Sequence, residues 1–474
     1  MRHHSHRQTY LGASPQKTLC IMPYPHHRRF VPTGECFLHR MPNELLCRIL
    51  EYLAPARTSL SGSAYEPCLP IPLVCRRWER LYCYFLYRNI DLGLSGWMRL
   101  RRIRQLEATL RQRPDLCDAV RKVGIQYWRP REATCGLLAN ILSYCKGLRN
   151  FELHTGWTQS TWFILHAVNK AQLATLKLWG LEGCPSLQMI LKHFSLPTLK
   201  EVSLNRYGLC SGDEPGAPWY PSSDTAPEDL GLLLPSASPC NVTTMELDEP
   251  SAPAHVTKSF LQWPARLTSL TMTSMHSTRG AEYTVDTVQG ILDDHRHTLQ
   301  HIRLGTLARG IECLPDFSSF TSLESLQIHW LNLFMESPRR AAAKLDAPRL
   351  RHLRINFDTE DKPGISPDDF GSDRIDWLKG FVGHISLTTT RLETVFIAYE
   401  PDVLLADLQW IYYETWPWHY IDQAVGLFAG HNVTMTYTQP CYSRKEWDQA
   451  VEQADDARRP RQGLIHAHFT ALNV

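Results

Sequence analysis

A short apolar template recurs along the chain from residue 120 onwards. Apolar residues occupy positions i, i+3 and i+5 of this template, and most copies follow one another after 24 to 32 residues. In a strand, positions i+3 and i+5 lie on the same face, because side chains alternate between the two faces. The template therefore predicts ten short strands, which begin near Val120, Leu148, Leu173, Leu199, Val242, Leu267, Leu299, Leu323, Leu350 and Leu392.

Between the predicted strands, apolar residues recur at helical spacing. Such stripes predict seven helices, at Glu132–Cys145, Ser160–Lys170, Pro185–Phe194, Ala254–Trp263, Val285–Arg296, Arg374–Ile385 and Trp418–Ala429. Two stretches rich in proline, glycine and acidic residues, 206–240 and 357–373, interrupt the pattern and are predicted as loops. Strands that alternate with helices at a similar period predict an α/β solenoid, in which each unit buries its apolar side against its neighbours.

The repeated template resembles the leucine-rich repeat, L-x-x-L-x-L, in an irregular form. The asparagine that usually follows this template is mostly missing here. The resemblance implies parallel strands on the concave face of a solenoid and helices on its outer side.

The second face of the predicted strands, formed by positions i+2, i+4 and i+6, is almost wholly polar. Acidic side chains dominate it in the early strands, and histidine and arginine dominate it in the later ones. Such a face either binds a target protein of matching polarity or is simply solvated. The candidates for target binding are Glu152, Lys177, Trp179, Glu201, Glu246, Asp248, His301, Arg303, His329, His352, Arg354 and Phe396.

Upstream of the repeats, two apolar stripes predict short helices. The first begins after Pro42, which suits the first turn of a helix because its missing N–H would have no partner there. Short helices of this kind cannot bury both of their faces alone. They therefore need either the rest of the chain or a partner protein.

The sequences of these two stripes resemble the two halves of an F-box motif. They read Met-Pro-x-Glu-Leu-Leu-x-x-Ile-Leu-x-Tyr-Leu (residues 41–53) and Leu-Val-Cys-Arg-Arg-Trp (73–78). Met41 stands where the family usually has leucine, and the loop at 54–70 is longer than usual. The resemblance implies docking on a Skp-type adaptor of a cullin–RING ubiquitin ligase. The adaptor-facing residues that it implies are Met41, Pro42, Leu45, Leu46, Ile49, Leu50, Leu53, Leu73, Val74, Cys75 and Trp78.

The predicted organisation has five parts. They are a disordered tail rich in His, Arg and Pro (1–36), an F-box-like unit (37–93), a connector helix that Pro114 ends or kinks (94–119), the repeat array (120–440) and a C-terminal helix and tail (441–474). An aromatic stretch at 407–420 either forms a binding surface or closes the core of the last repeat.

Charge and composition restrict the kinds of partner and the cellular locations that fit the chain. Residues 1–125 carry 20 Lys and Arg against 9 Asp and Glu, and the remaining residues carry 30 against 39, so a basic front is expected to face an acidic partner. The chain has no apolar run long enough to span a membrane and no apolar signal-peptide core at its start. Its 14 cysteines include no C-x-x-C, which favours reduced thiols and a cytoplasmic or nuclear location.

Motifs of catalysis are missing from the sequence: there is no G-x-S-x-G, G-x-G-x-x-G, phosphate-binding loop or H-E-x-x-H. His297 and His301 have the spacing of metal ligands on a helix, but His301 falls on a predicted strand. We therefore expect no metal, no cofactor and no catalysis. The sequence favours a substrate receptor of an SCF-type ubiquitin ligase. Its rivals are a repeat scaffold outside any ligase and a nucleic-acid-binding protein using the arginine-rich segment 99–113.

Overall fold

The computed structural model describes most of the repeat array and parts of the N-terminal region. The described residues are 41–53, 76–92, 99–127, 132–155, 159–168, 172–180, 194, 196–206, 240–250, 252–275, 283–307, 314–357, 370–388, 391–399, 416, 418–440, 443–446 and 448–449. The predictions for the tail 1–36 and the loop 54–70 lie outside them, as do those for the helix at Pro185–Phe194 except its last residue, and for most of the two array loops and of the aromatic stretch. By its contacts the chain divides into two units, Met1–Ala54 and Pro55–Val474.

Twelve parallel strands form one sheet in the larger unit, and their order in the sheet follows their order in the chain. The strands are β1 (Asn89–Asp91), β2 (Lys122–Tyr127), β3 (Asn150–Thr155), β4 (Thr175–Trp179), β5 (Glu201–Asn205), β6 (Thr244–Asp248), β7 (Ser269–Thr273), β8 (His301–Leu304), β9 (Ser325–His329), β10 (His352–Asn356), β11 (Thr394–Ala398) and β12 (Thr434–Tyr437). The ten predicted strands are β2 to β11. The architecture is a solenoid-like α/β fold, as predicted.

The apolar template sets the register of this sheet. Position i+3 of each strand pairs with position i+3 of the next, so that Val123 lies beside Phe151 and Phe151 beside Leu176. The same alignment continues to Val395 beside Met435. The template residues are buried along the whole row, and burying each such side chain contributes about 1.5–3 kcal/mol. A slip of one residue would place all of them on the opposite face, so the template strongly specifies this pairing.

The structure describes twelve α-helices, and all except the first contribute apolar side chains to the core of the sheet or pack them against it. They are α1 (Asn43–Leu53), α2 (Arg76–Arg88), α3 (Arg99–Gln112), α4 (Pro114–Ala119), α5 (Glu132–Tyr144), α6 (Gln159–Ala167), α7 (Ala254–Leu261), α8 (Val285–Leu292), α9 (Trp330–Phe334), α10 (Pro338–Lys344), α11 (Ser372–Ile385) and α12 (Trp418–Ala429). Six of the predicted helices correspond to α5, α6, α7, α8, α11 and α12. A short 3-10 helix, Asp293–His295, replaces the predicted last turn of α8. Residues 444–446 and 448–449, within the predicted C-terminal helix, are helical.

The sheet begins one strand earlier and ends one strand later than the predicted template copies. Strand β1 pairs with β2, with Ile90 beside Val123, so the array starts before residue 120. Strand β12 pairs with β11 and has Asn432 at the first template position, which a search for apolar residues passes over. Both differences lengthen the repeat array relative to the prediction.

The predicted connector helix is part of the solenoid-like core. It is interrupted at Arg113, and Pro114 starts the separate short helix α4, because proline lacks the N–H that a continuous helix requires. Ile103 and Leu110 of α3 are buried in the core of the array. Tyr144 of α5 donates a hydrogen bond to Glu107 of α3, with an oxygen–oxygen distance of 3.1 Å. Helix α3 is therefore a layer of the repeat array and not a free link.

The six cysteines that the structure describes are thiols, as predicted for reduced cysteines. Cys117, Cys135, Cys145 and Cys240 are buried, whereas Cys47 and Cys83 are partly exposed. Burial raises the pKa of the Cys145 thiol to about 12, so the reactive thiolate is scarce there.

This difference in burial predicts an order of alkylation. With iodoacetamide at about pH 8, we expect Cys47 and Cys83 to be modified before the four buried thiols, as measured by mass spectrometry of digested samples. In denaturing urea the six should react at similar rates. Modification of Cys145 in the folded chain as fast as Cys83 would contradict the packing described above.

Candidate functional site

Helix α1 presents an apolar surface at the positions of the first F-box-like stripe. Leu45 is 50% exposed and Pro42 is exposed, while Ile49 and Met41 are half-buried. Leu46 is fully buried, so it cannot meet an adaptor directly. This is a correction to the predicted adaptor-facing set. The side chains of Leu50 and Leu53 lie outside the described residues.

The second half of the F-box-like stripe is only partly described. Leu73, Val74 and Cys75 precede α2 and lie outside the described residues, as does the side chain of Trp78. Within the larger unit, Tyr82 of α2 is buried, and Cys83 and Tyr87 pack against the core of the array. Helix α2 therefore uses part of its apolar face internally.

The predicted target-binding residues lie on the strands in three rows, which we call the polar face. Position i+2 forms one row from Lys122 to Thr434, and position i+4 forms a second from Gly124 to Thr436. The third row, at position i+6, includes Trp179 and Asp248. Parallel pairing thus places side chains that are 24 or more residues apart in the chain within about 5 Å between neighbouring strands.

Charges on the early strands of the polar face pair with one another. Lys122 lies 2.8 Å from Glu152 on the next strand, and Lys177 lies 3.1 Å from Glu201. These partly exposed pairs contribute only about 0–1 kcal/mol each to stability, but they neutralise the two glutamates. The two other acidic residues of the predicted binding set, Glu246 and Asp248, both lie on β6.

Asp248 has a structural role at the ends of β5 to β7. Its carboxylate accepts hydrogen bonds from the side-chain amide of Asn205 and, at 2.6 Å, from the hydroxyl of Thr273. Both partners are buried, so Asp248 is held between adjacent strands. Sequence reasoning placed Asn205 and Thr273 on the face but not this contact, because it depends on lateral register.

The later strands carry exposed basic side chains. His301 and Arg303 on β8 and His352 and Arg354 on β10 are all exposed, and we call these four residues the basic strip. The guanidinium of Arg354 lies 4.6 Å from the centre of the Phe396 ring, a cation–π geometry. The Nδ1 atom of His352 lies 2.8 Å from the Thr394 hydroxyl oxygen.

His329 does not belong to the accessible surface, which corrects its predicted role. It is only 2% exposed. Its Nδ1 atom accepts a hydrogen bond from the backbone N–H of Leu331, so that it caps α9. Helix α9 begins directly after β9, so His329 occupies the position that caps this helix. The sequence did not predict a helix at this position.

An aromatic pair lies at the ends of β3 and β4. The rings of His154 and Trp179 are stacked, with centres 4.5 Å apart and an angle of 22° between their planes. Trp179 is 36% exposed. Burial lowers the pKa of His154 below its ordinary value, and Glu152 and Asp91 counteract part of this shift. His154 therefore stacks on Trp179 chiefly as a neutral ring.

Acidification is expected to destabilise the fold through His154. Because the pKa of His154 is lowered in the folded chain, the unfolded chain takes up this proton at higher pH, and stability is lost as the pH falls through the folded pKa. His154→Phe keeps a ring beside Trp179 but cannot titrate. Between about pH 7 and pH 5, we expect the urea midpoint of the variant to fall less than that of the unmodified chain. An equal fall in both would contradict this role.

The described residues hold no cluster of three or more metal-ligating side chains. His297 lies in a turn, with its Nδ1 atom 3.3 Å from the Thr321 hydroxyl oxygen, whereas His301 begins strand β8. The two histidines thus do not share a helix. None of the described helices has the length and apolar character needed to cross a bilayer.

Comparison with known proteins gives no family assignment. No protein-family model matches the chain, and no curated protein matches it.

Proposed function

We propose that the chain is a non-catalytic substrate receptor of an SCF-type cullin–RING ubiquitin ligase. In this proposal α1 and residues near the start of α2 dock on a Skp-type adaptor, and the polar face of the sheet binds the target protein. The observation that carries the proposal is the half-exposed Leu45 on α1, beside the fully buried Leu46.

Leu45 and Leu46 of α1 differ in exposure. Leu46 is fully buried, whereas the adjacent Leu45 is half-exposed. Ile49 lies four residues after Leu45 and therefore on the same side of the helix. A partner that covers Leu45 would also contact Ile49 and the exposed Pro42, and burying one leucine contributes about 1.5–3 kcal/mol.

The polar face supports the receptor half of the proposal. Its three rows extend over the sheet and combine charged, hydroxyl and aromatic side chains. Repeat proteins commonly bind partners on extended surfaces of this kind, because each repeat adds side chains to the same rows. Nothing in this arrangement requires a cofactor.

A repeat scaffold that acts outside any ligase is the second candidate. The packing of Cys83 and Tyr87 against the core of the array favours it, because α2 then serves to close the first repeats. In that case the exposed Leu45 would contact a partner of another kind or remain in solvent.

Gel filtration of the full chain with a purified Skp-type adaptor separates the two candidates. The ligase proposal predicts co-elution as a stable complex at about micromolar concentration. A chain that elutes alone while still binding a target protein would support the scaffold.

A further inference from the structure

The start of the repeat array is strongly basic. Residues 99–149 contain 12 Lys and Arg against 4 Asp and Glu, so cations remain in excess even where every carboxylate of this stretch is paired. Arg101, Arg102 and Arg104 on helix α3 are exposed, and we call these three residues the arginine face. None of them forms an ion pair or a hydrogen bond within the part of the chain that the structure describes.

The acidic residues that follow the arginine face on α3 and α4 contact other side chains. Glu107 is only 7% exposed, accepts a hydrogen bond from Tyr144 and lies 3.9 Å from Arg111. Asp115 accepts two hydrogen bonds from Arg113, with nitrogen–oxygen distances of 2.9 and 2.7 Å. Neither carboxylate therefore contacts the arginine face.

The arginine face lies at an unfavourable place in its helix. Helix α3 begins at Arg99 and has no acidic residue in its first turn. The N-terminal end of a helix carries a partial positive charge, which repels cations near the first turn. Arg101 and Arg104 also lie about one turn apart, where like charges repel each other. The stability of the helix therefore does not account for these cations, whereas an anionic partner would relieve both repulsions.

The arginine face occupies the side of α3 that is turned away from the core. At about 3.6 residues per turn, positions 101, 102 and 104 fall within about half of the helix circumference. Ile103 and Leu110, on the other side, are buried in the core of the array. A helix that inserts into a membrane surface needs a free apolar side. Since α3 uses its apolar side internally, the exposed side fits a partner that binds through charge.

We propose that the arginine face binds an acidic segment of a partner protein. The planar guanidinium of arginine can form two parallel hydrogen bonds with a carboxylate. The Cβ atoms of Arg101 and Arg104 are about 5–6 Å apart, and alternate residues of an extended segment are about 6.6 Å apart. Acidic residues at alternate positions therefore match this spacing. Exposed charge pairs are weak singly, so the three arginines act together.

The surroundings of the arginine face favour a polypeptide over a nucleic acid. Three arginines would contact only about three phosphates, which gives weak binding at physiological salt. Asp115 and Asp118 on α4 are exposed and would repel a phosphate backbone that continued along the helices. Single-strand binding also uses exposed aromatic rings on which bases stack, and α3 contains no aromatic residue.

This inference goes beyond the proposed function, because neither α1 nor the polar face contains the arginine face. Fluorescence anisotropy would measure binding of the full chain to a labelled peptide that repeats Glu-Gly-Glu-Ser. A Lys-Gly-Lys-Ser peptide is the control of opposite charge. A DNA duplex and vesicles rich in phosphatidylserine serve as unlabelled competitors. The adaptor is absent from this experiment, so its result is independent of adaptor co-elution.

We expect the glutamate peptide to bind and the lysine peptide not to bind. Binding should weaken as salt rises from about 0.05 to 0.5 M, because exposed charges are screened. The variant Arg101→Gln/Arg102→Gln/Arg104→Gln should bind the peptide about tenfold more weakly or worse, since it loses three exposed charge pairs. Glutamine has nearly the helix propensity of arginine, so the urea midpoint should not fall.

A matched control removes the same net charge elsewhere in the array. Arg266→Gln/Arg339→Gln/Arg349→Gln replaces three exposed arginines outside α3 and should leave peptide binding unchanged. Replacing the arginine face by three lysines keeps its charge and should weaken binding less than the glutamine variant does. The lysine variant keeps the test decisive if the glutamine variant proves unstable.

Four results would overturn the inference. They are failure of the glutamate peptide to bind, unchanged binding by the glutamine variant of α3, an equal loss of binding in the matched control, and displacement of the labelled peptide by DNA or vesicles at lower concentration than by unlabelled peptide. The last result would assign the arginine face to a nucleic acid or to a membrane surface.

Discussion

Leu45→Asp is expected to abolish co-elution of the chain with a Skp-type adaptor. The side chain is half-exposed in the chain alone, so the substitution places a carboxylate in solvent and should change the fold little. In a complex the same carboxylate would be buried against an apolar partner without a counter-charge. Loss of an apolar anchor at an interface costs on the order of 2–4 kcal/mol, which corresponds to about 30- to 1,000-fold in Kd.

The matched control is Leu387→Asp, the same substitution at a leucine that is 83% exposed in the larger unit. It should leave co-elution unchanged. Leu46→Asp is a poor test, because Leu46 is fully buried and a charge there would disturb α1 itself. Isothermal titration calorimetry with the adaptor gives the change in Kd. Tight binding by Leu45→Asp would contradict the ligase proposal.

Much of the sheet was predictable because one template both defines the strands and sets their pairing. Apolar residues at i+3 and i+5 must share a buried face, and only one register keeps all of them there. Strand β1 fits the same template through Tyr87, Ile90 and Leu92, but these residues lie within the region that was predicted as the F-box-like unit. For β12 the first position is Asn432, whose φ of 59° is a left-handed backbone conformation that asparagine tolerates.

The chemistry of the polar face was less predictable than its position. The sequence shows that Glu152 and Glu201 lie on this face, but their neutralisation depends on which lysine lies on the adjacent strand. Lys122 was not singled out, although it occupies position i+2 of the first predicted strand. Lateral pairs of this kind become visible only when the register of neighbouring strands is known.

Phe357→Ala is expected to cause the largest loss of stability within the array. Phe357 follows β10 and is only 2% exposed. Its ring centre lies 5.4–5.9 Å from those of Trp330 and Phe334 on α9, Phe370 before α11 and Tyr399 after β11. Truncation would remove four aromatic contacts and leave a cavity. Substitutions of this kind cost about 3–5 kcal/mol.

Phe396→Ala provides the matched control, because the same atoms are removed from a half-buried ring on the polar face. It loses mainly the contact with Arg354, which is worth about 0.5–1 kcal/mol at an exposed site. Urea unfolding followed by circular dichroism should give a much larger fall in midpoint for Phe357→Ala. Since repeats are stabilised mostly by their neighbours, hydrogen exchange should accelerate in β9 to β11 more than in β2 to β4. Equal effects of the two substitutions, or uniform acceleration over the sheet, would contradict a local aromatic core centred on Phe357.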